Sequence, residues 1–157
     1  MKSWLGRVWR LLSGQAQWWV LWLAHSKFNV GVCTAFFDDD GRVLLLRHVF
    51  RREDRWGLPA GWAAPGETVF QTAQRELREE TGMCGEPVDI LEVNSGYRLR
   101  VEIVLFGHIN ASQSARLSHE IHEAAFHAVD ALPDSLTTIH RNIIFEAVRR
   151  REQGQGT

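Results

Sequence analysis

Three glutamates, Glu76, Glu79 and Glu80, stand at the spacing i, i+3 and i+4 in the segment RELREE. These positions project from one face of a helix, so a helix here would bring three carboxylates together. Like charges at this spacing cost roughly 0.2–0.5 kcal/mol per pair. A hard divalent cation would turn that repulsion into binding, because Mg²⁺ prefers oxygen ligands and often links carboxylates to substrate phosphates. The spacing is therefore compatible with a magnesium site.

The same run has a simpler interpretation. Arg75 could pair with Glu79 at i+4, and RELREE would then be only a solvated, glutamate-rich helix face. The residues of the run alone leave both interpretations open.

Local signals define the helix that would carry these carboxylates. Thr68 and Gln71 form a T-x-x-Q capping box, which predicts a helix start at about Thr68. Gly82 suits the left-handed conformation that ends many helices. Between these limits an apolar stripe recurs at helical spacing, formed by Val69, Phe70, Ala73 and Leu77.

The remaining elements alternate between strands and one further helix. Strand-like patterns cover residues 28–37, 42–48, 56–59, 87–93, 100–109 and 124–129, and a helix is predicted from about Thr138 to Arg151. Residues 94–96 are predicted to form a turn, and residues 110–118 a polar loop. This mixture predicts an α/β domain in which a sheet packs between helices.

The segment 61–83 resembles the signature of the Nudix (MutT-like) hydrolases. The matching residues are Gly61, Glu67, Arg75, Glu76, Leu77, Glu79, Glu80, Gly82 and Met83, without a gap. The resemblance extends over residues 28 to about 150 and favours the metal site. It implies an α/β/α sandwich with a mixed β-sheet and an enzyme that cleaves the diphosphate bond of a nucleoside diphosphate derivative.

The resemblance also implies roles for individual residues. Glu76, Glu79 and Glu80 would be metal ligands, and Arg75 would orient the carboxylates by charge-assisted hydrogen bonds. Glu67 would support the loop before the helix or hold a second metal. The carbonyl of Ala60 or Gly61 could complete the metal shell, although many relatives have glycine where this chain has Ala60.

The general base is expected either on the helix, at Glu76 or Glu80, or in a separate loop. Glu120, just before the last predicted strand, is the leading loop candidate and also a possible metal ligand, and Glu123 is the second choice. The candidates for contacting substrate are Arg47, Arg51, Arg52, Arg55 and Tyr97. The alternatives are a solvated arginine loop and a turn tyrosine, and His119 or His122 could also contact phosphate or base.

Composition is that of an ordinary globular protein. The chain has 157 residues, 45% hydrophobic and 24% charged, with a net charge of −1. The chain has no overall basic charge that would attract DNA or RNA, so a small nucleotide derivative is the expected partner. Cys33 and Cys84 lack metal-site spacing and suggest a reducing, cytoplasmic location. The expected cofactor is Mg²⁺, with Mn²⁺ as an alternative.

Residues 1–27 form a separate arm before the domain of residues 28–157. Five of the seven tryptophans lie in this arm, and the longest wholly apolar run, 18–24, is far shorter than the roughly 20 residues that span a bilayer. Two amphipathic or apolar helical pieces are predicted. We expect them to pack on the domain or on a second subunit of a homodimer, since an exposed patch of this size is rare in soluble monomers. Interfacial membrane attachment is the alternative.

Two other functions remain open. A membrane-peripheral hydrolase could use the arm to reach a lipid-linked diphosphate. A non-catalytic nucleotide-binding regulator would usually have lost carboxylates of the signature, all of which this chain retains.

Overall fold

A computed structural model describes residues 2–49, 55–95 and 99–154. The four helices of these segments are α1 (Lys2–Leu11), α2 (Gly14–Ala24), α3 (Val69–Thr81) and α4 (Thr138–Gly154). The strands are β1 (Asn29–Phe37), β2 (Val43–His48), β3 (Trp56–Gly57), β4 (Ala60–Trp62), β5 (Gly85–Ser95), β6 (Arg100–Ile109) and β7 (Ile121–His127). A short 3₁₀ helix covers Val129–Ala131.

The strands form one mixed sheet in the order β3-β2-β1-β6-β5, with β4 paired to β1 and β7 paired to β2. The long central strands β1 and β6 run parallel, and the other pairs are antiparallel. Each face of the sheet is covered by a helix. Leu77 of α3 packs with Phe36 and Leu44 on one face, and Ile144 of α4 packs with Phe37 and Leu45 on the other. The predicted α/β/α sandwich is confirmed.

Helix α3 begins and ends where its sequence signals place it. The Thr68 hydroxyl accepts from the backbone N–H of Gln71, whose side chain accepts in turn from the backbone N–H of Thr68. Gly82 ends the helix with φ 72°, the left-handed conformation that glycine adopts at no steric cost. Local chemistry therefore fixes the helix that carries the glutamates.

The strands differ from the prediction in several places, and the three largest differences come from pairing with another strand. Residues 60–62, which lie outside the predicted strand 56–59, form β4 because they pair with Gly31–Cys33 of β1. Strand β5 continues through the predicted turn to Ser95, opposite Val101. Strand β7 covers residues 121–127 instead of 124–129, because Ile121 is buried and pairs with His48.

The arm is helical, as predicted, but α2 does not pack on the domain. None of its residues is buried. The Ser13 hydroxyl caps its first turn, and the Gln17 side chain donates to the Trp9 carbonyl at 2.8 Å, which joins α2 to α1. The expectation that the arm packs on its own domain is therefore wrong for α2, and packing on a second subunit stays a prediction.

Candidate active site

Arg75 lies among three carboxylates and one carbonyl. Its guanidinium donates to both oxygens of Glu67 at 2.8 and 3.1 Å, to Glu76 Oε1 at 2.8 Å and to Glu79 Oε2 at 3.0 Å. It also donates to the carbonyl of Trp62 at 2.8 Å. These hydrogen bonds, led by those to Glu67, raise the pKa of Arg75. One cation therefore fixes two glutamates of α3 relative to β4 and to the loop between them.

Glu67 ties that loop to the helix. Besides the two bonds from Arg75, it accepts from the Ala64 backbone N–H and the Thr72 hydroxyl, both at 3.1 Å. The bond from Arg75 and then that from Ala64 lower the pKa of Glu67 from 4.5 to about 2. Loop support, one of the two roles expected of Glu67, accounts for all these contacts. Its role as a ligand of a second metal stays a prediction.

Gly61 allows the Glu76 carboxylate to lie directly against the backbone of β4. A Cβ at position 61 would stand 1.8 Å from Glu76 Cδ and 2.1 and 2.3 Å from its two oxygens. Only glycine leaves the carboxylate in this place. The neighbouring Ala60 accommodates its Cβ and packs at the edge of the α4-side core.

Glu80 points to a different neighbourhood from Glu79. Its side chain is 9% exposed, whereas that of Glu79 is 60% exposed, and its Oε1 lies 3.7 Å from His48 Nε2 at the end of β2. The backbone N–H groups of Arg116 and Ser118 donate to the carbonyls of Thr81 and Glu80 at 2.7 and 3.0 Å. The loop that leads to Glu120 is thus attached to the end of α3.

Glu120 lies two residues beyond that attachment. Its carbonyl accepts from the Val49 N–H at 2.8 Å, and its backbone N–H donates to the Ser118 hydroxyl at 3.3 Å. The carboxylate is about half exposed and stands 3.8 Å from His119 Nε2. The backbone around Glu120 is therefore fixed while its side chain faces solvent. Its roles as general base and metal ligand stay predictions.

The structure describes two of the five candidate substrate-binding residues. Arg47 is paired with Glu123 at 2.7 Å across β2 and β7 and lies over the Trp56 ring. This pairing makes Glu123 a weaker candidate for the base. Arg55 is exposed and lines a surface cavity with residues 134–138. Arg51, Arg52 and Tyr97 lie outside the described residues.

His48 and the Trp62 carbonyl belong to the site but had no assigned role in the sequence. The contact from His48 to Glu80 crosses 32 positions of the chain, and the bond from Arg75 to Trp62 joins a helix to a strand. A histidine that ends a strand just before the arginine-rich loop was the one available signal for His48.

The oxygen atoms of the proposed ligands are of the type that a hard divalent cation prefers. They comprise carboxylate oxygens from Glu76, Glu79 and Glu80, together with the backbone of β4 at Gly61, the type of ligand that Mg²⁺ prefers. Within the described parts of the chain, no three His, Cys, Asp or Glu side chains are gathered closely enough to hold a metal ion between them. In this arrangement Arg75 supplies the positive charge among the carboxylates.

Comparison of the sequence with known proteins identifies one family. The sequence model of the NUDIX domain matches residues 27–147. The chain is 42% identical over 64 residues to the 8-oxo-dGDP phosphatase NUDT18 of Mus musculus, covering 40% of this chain and 20% of that protein. It is also 42% identical over 79 residues to the RNA pyrophosphohydrolase of Teredinibacter turnerae, covering 48% and 44% of the two chains. The matches thus span less than half the length of these relatives.

The solved structures agree in fold. A NUDIX hydrolase from Nitrosomonas europaea superposes with a TM-score of 0.72 at 20% identity, over 83% of this chain and 75% of that one. The family model, the gapless signature on α3 and the shared sandwich lead to one conclusion: the chain belongs to the Nudix hydrolase family.

Proposed function

We propose that the protein is a Mg²⁺-dependent pyrophosphohydrolase that cleaves the diphosphate bond of a nucleoside diphosphate derivative, such as a nucleotide sugar or a nucleoside di- or triphosphate. The observation that carries this proposal is the arrangement around Arg75, where Glu67 holds the loop and Glu76 lies against the side-chain-free backbone of Gly61. Mn²⁺ is the alternative cation.

In this mechanism each residue has a positional task. Glu76, Glu79 and Glu80 would hold the cation, and Arg75 would keep Glu76 and Glu79 aligned before substrate arrives. When bound, the cation neutralises diphosphate oxygens and lowers the pKa of a water. Glu120, on a backbone fixed to the end of α3, would accept the proton of the attacking water, because the helix glutamates are poor bases once they bind metal.

The substrate is expected to be a small nucleotide. Residues 28–157 contain 14 basic and 19 acidic side chains, a net charge of −5, which does not favour a long polyanion. The two relatives are named for 8-oxo-dGDP and for RNA, so both substrate types belong in the assay. A cytoplasmic location is consistent with a buried Cys33 and an exposed Cys84.

The test is a panel of nucleotide derivatives with Mg²⁺, including 8-oxo-dGDP and 5′-triphosphorylated RNA, with products identified by mass. Glu80→Gln keeps the shape of the side chain and removes its charge. It should lower kcat by more than tenfold, or more than about 1.4 kcal/mol of barrier. Glu152→Gln, at an exposed position near the end of α4, is the matched control and should leave kcat unchanged.

Turnover that persists in excess chelator, or a Glu80→Gln variant with normal kcat, would refute the proposal. Nucleotide binding without any turnover across the panel would instead support the non-catalytic regulator.

A further inference from the structure

The arm differs from the rest of the chain in its charge. Residues 1–27 contain Lys2, Arg7, Arg10 and Lys27 and no acidic residue, a net charge of +4 against −5 for the remainder of the chain. The first acidic residue of the chain is Asp38. The arm is thus a cationic segment attached to an anionic domain.

Helix α2 exposes apolar side chains on every side. The six consecutive residues 18–23 are Trp, Trp, Val, Leu, Trp and Leu, and each is between 44% and 72% exposed. Successive residues of a helix are turned by about 100°, so four of them already surround the axis. A single flat partner face, such as that of a twofold dimer, would cover one stripe and leave the opposite side chains in water.

The length and residue types restrict what could surround such a helix. At 11 residues α2 is about 16 Å long, roughly half of the 30 Å hydrocarbon core of a bilayer. None of the helices among the described residues is long and apolar enough to cross a membrane. Tryptophan favours the boundary between headgroups and acyl chains. Trp18, Trp19 and Trp22 form one cluster, and the Lys27 ammonium lies 4.2 Å from the Trp22 ring.

We propose that residues 1–27 attach the protein peripherally to the surface of an anionic phospholipid bilayer. Helix α2 would lie within the headgroup and acyl boundary, and Arg7, Arg10 and Lys27 would contact lipid phosphates. The arm joins the domain at Phe28, which lines a cavity of about 720 Å³ together with Ala63, Ala64 and Glu67. Attachment would therefore bring the loop held by Glu67 and Arg75 close to the membrane surface.

The experiment is flotation of the full-length protein with phosphatidylcholine vesicles and with vesicles that mix phosphatidylcholine and phosphatidylglycerol, whose negative surface potential attracts basic segments. Wild-type protein should float with the anionic vesicles, and brominated acyl chains should quench its tryptophan fluorescence. Trp18→Ser/Trp19→Ser/Trp22→Ser should lose at least tenfold in partitioning. The matched control Val88→Ala/Val93→Ala/Ile139→Ala removes exposed apolar side chains from the domain and should bind like wild type.

A charge series tests the lipid specificity. Removing two cations near an anionic surface should lower partitioning by about 30-fold, so we expect that loss for Arg7→Gln/Arg10→Gln. Arg149→Gln/Arg150→Gln on α4 should have no effect. Unchanged melting temperatures would show that each variant is folded.

Equal binding to neutral and anionic vesicles, absence of vesicle binding, or normal binding by the tryptophan variant would overturn the proposal. Self-association of the wild type that the tryptophan variant abolishes, without vesicle binding, would make a second copy the occupant instead. Hydrolysis is not measured in any of these arms, so failure here leaves the proposed activity untouched.

Discussion

Gly61→Ala is the substitution that most directly tests how β4 positions the carboxylates. The added Cβ would stand 1.8 Å from Glu76 Cδ. Carbon atoms in contact are separated by about 3.5 Å, so the Glu76 carboxylate would have to move by about 1.7 Å. A misplacement of about 1 Å can cost on the order of 10²-fold in rate. We therefore expect kcat/KM to fall on the order of 10²-fold, about 2.7 kcal/mol of transition-state stabilisation.

The fold should tolerate this change. Gly61 is not among the glycines with positive φ, so alanine can adopt its backbone conformation. The atoms in conflict are at the end of a flexible side chain. Gly→Ala at a compatible position gains about 0.4–1 kcal/mol from the unfolded state. A partly buried ion pair such as that of Arg75 and Glu76 contributes on the order of 1 kcal/mol. These terms nearly cancel, so the melting temperature should shift by less than about 4 °C.

A double-mutant cycle separates displacement of Glu76 from any other effect of the methyl group. In a Glu76→Ala background the side chain that the new Cβ displaces is absent, so Gly61→Ala should change kcat/KM by less than about threefold, since coupling is confined to residues in contact. Gly31→Ala on the paired strand β1 is the matched control. The three atoms nearest to its Cβ would all belong to the Arg100 guanidinium, the closest at 3.1 Å.

Three results would refute this reasoning. The first is a Gly61→Ala variant with activity within threefold of wild type. The second is a loss of activity that is just as large in the Glu76→Ala background. The third is a loss accompanied by a fall in melting temperature of more than about 8 °C, which would indicate general unfolding.

Two further predictions concern the loop carboxylates. Because the pKa of Glu67 is lowered from 4.5 to about 2, its contribution to stability should be complete above about pH 4.5 and disappear as the pH falls towards 2. The difference in melting temperature between wild type and Glu67→Gln, measured in chelator, should therefore be constant from pH 5 to 7 and close below that range; a difference that widens in acid would contradict the assignment. Glu120→Gln should lower kcat by about 10²–10⁴-fold with little change in KM. A loss under threefold would move the general base to Glu76 or Glu80, and rescue by higher Mg²⁺ would make Glu120 a metal ligand.

The helix of the site could be predicted because its determinants are local. The capping residues Thr68 and Gln71 and the terminal Gly82 lie within the segment that they shape, and each adopts the predicted conformation. The spacing of Glu76, Glu79 and Glu80 then follows from helical geometry alone.

The features that sequence reasoning missed depend on distant partners. Strand β4 has three residues and no apolar alternation, and it exists because β1 provides hydrogen-bonding partners. The contact of His48 with Glu80 likewise requires the end of β2 to lie beside the end of α3. For the arm, the helices were predicted correctly, and only the packing of α2 on its own domain was not. The helices of the arm are encoded by local signals, but burial of α2 would require a partner outside this chain, because no residue of α2 is buried on the domain.

The position of Arg75 offsets the mutual repulsion of the carboxylates around it. Three acidic side chains that share a small volume repel one another, and an exposed pair contributes little to stability. A single guanidinium that contacts all three, and also the Trp62 carbonyl, reduces that repulsion and fixes the distance between α3 and β4. The arginine contacts only one oxygen of Glu76 and one of Glu79. Each of these carboxylates can therefore keep its bond to Arg75 and still offer its second oxygen to a divalent ion. Arg75 would then remain in the site when the ion binds, instead of competing with the ion for the carboxylates.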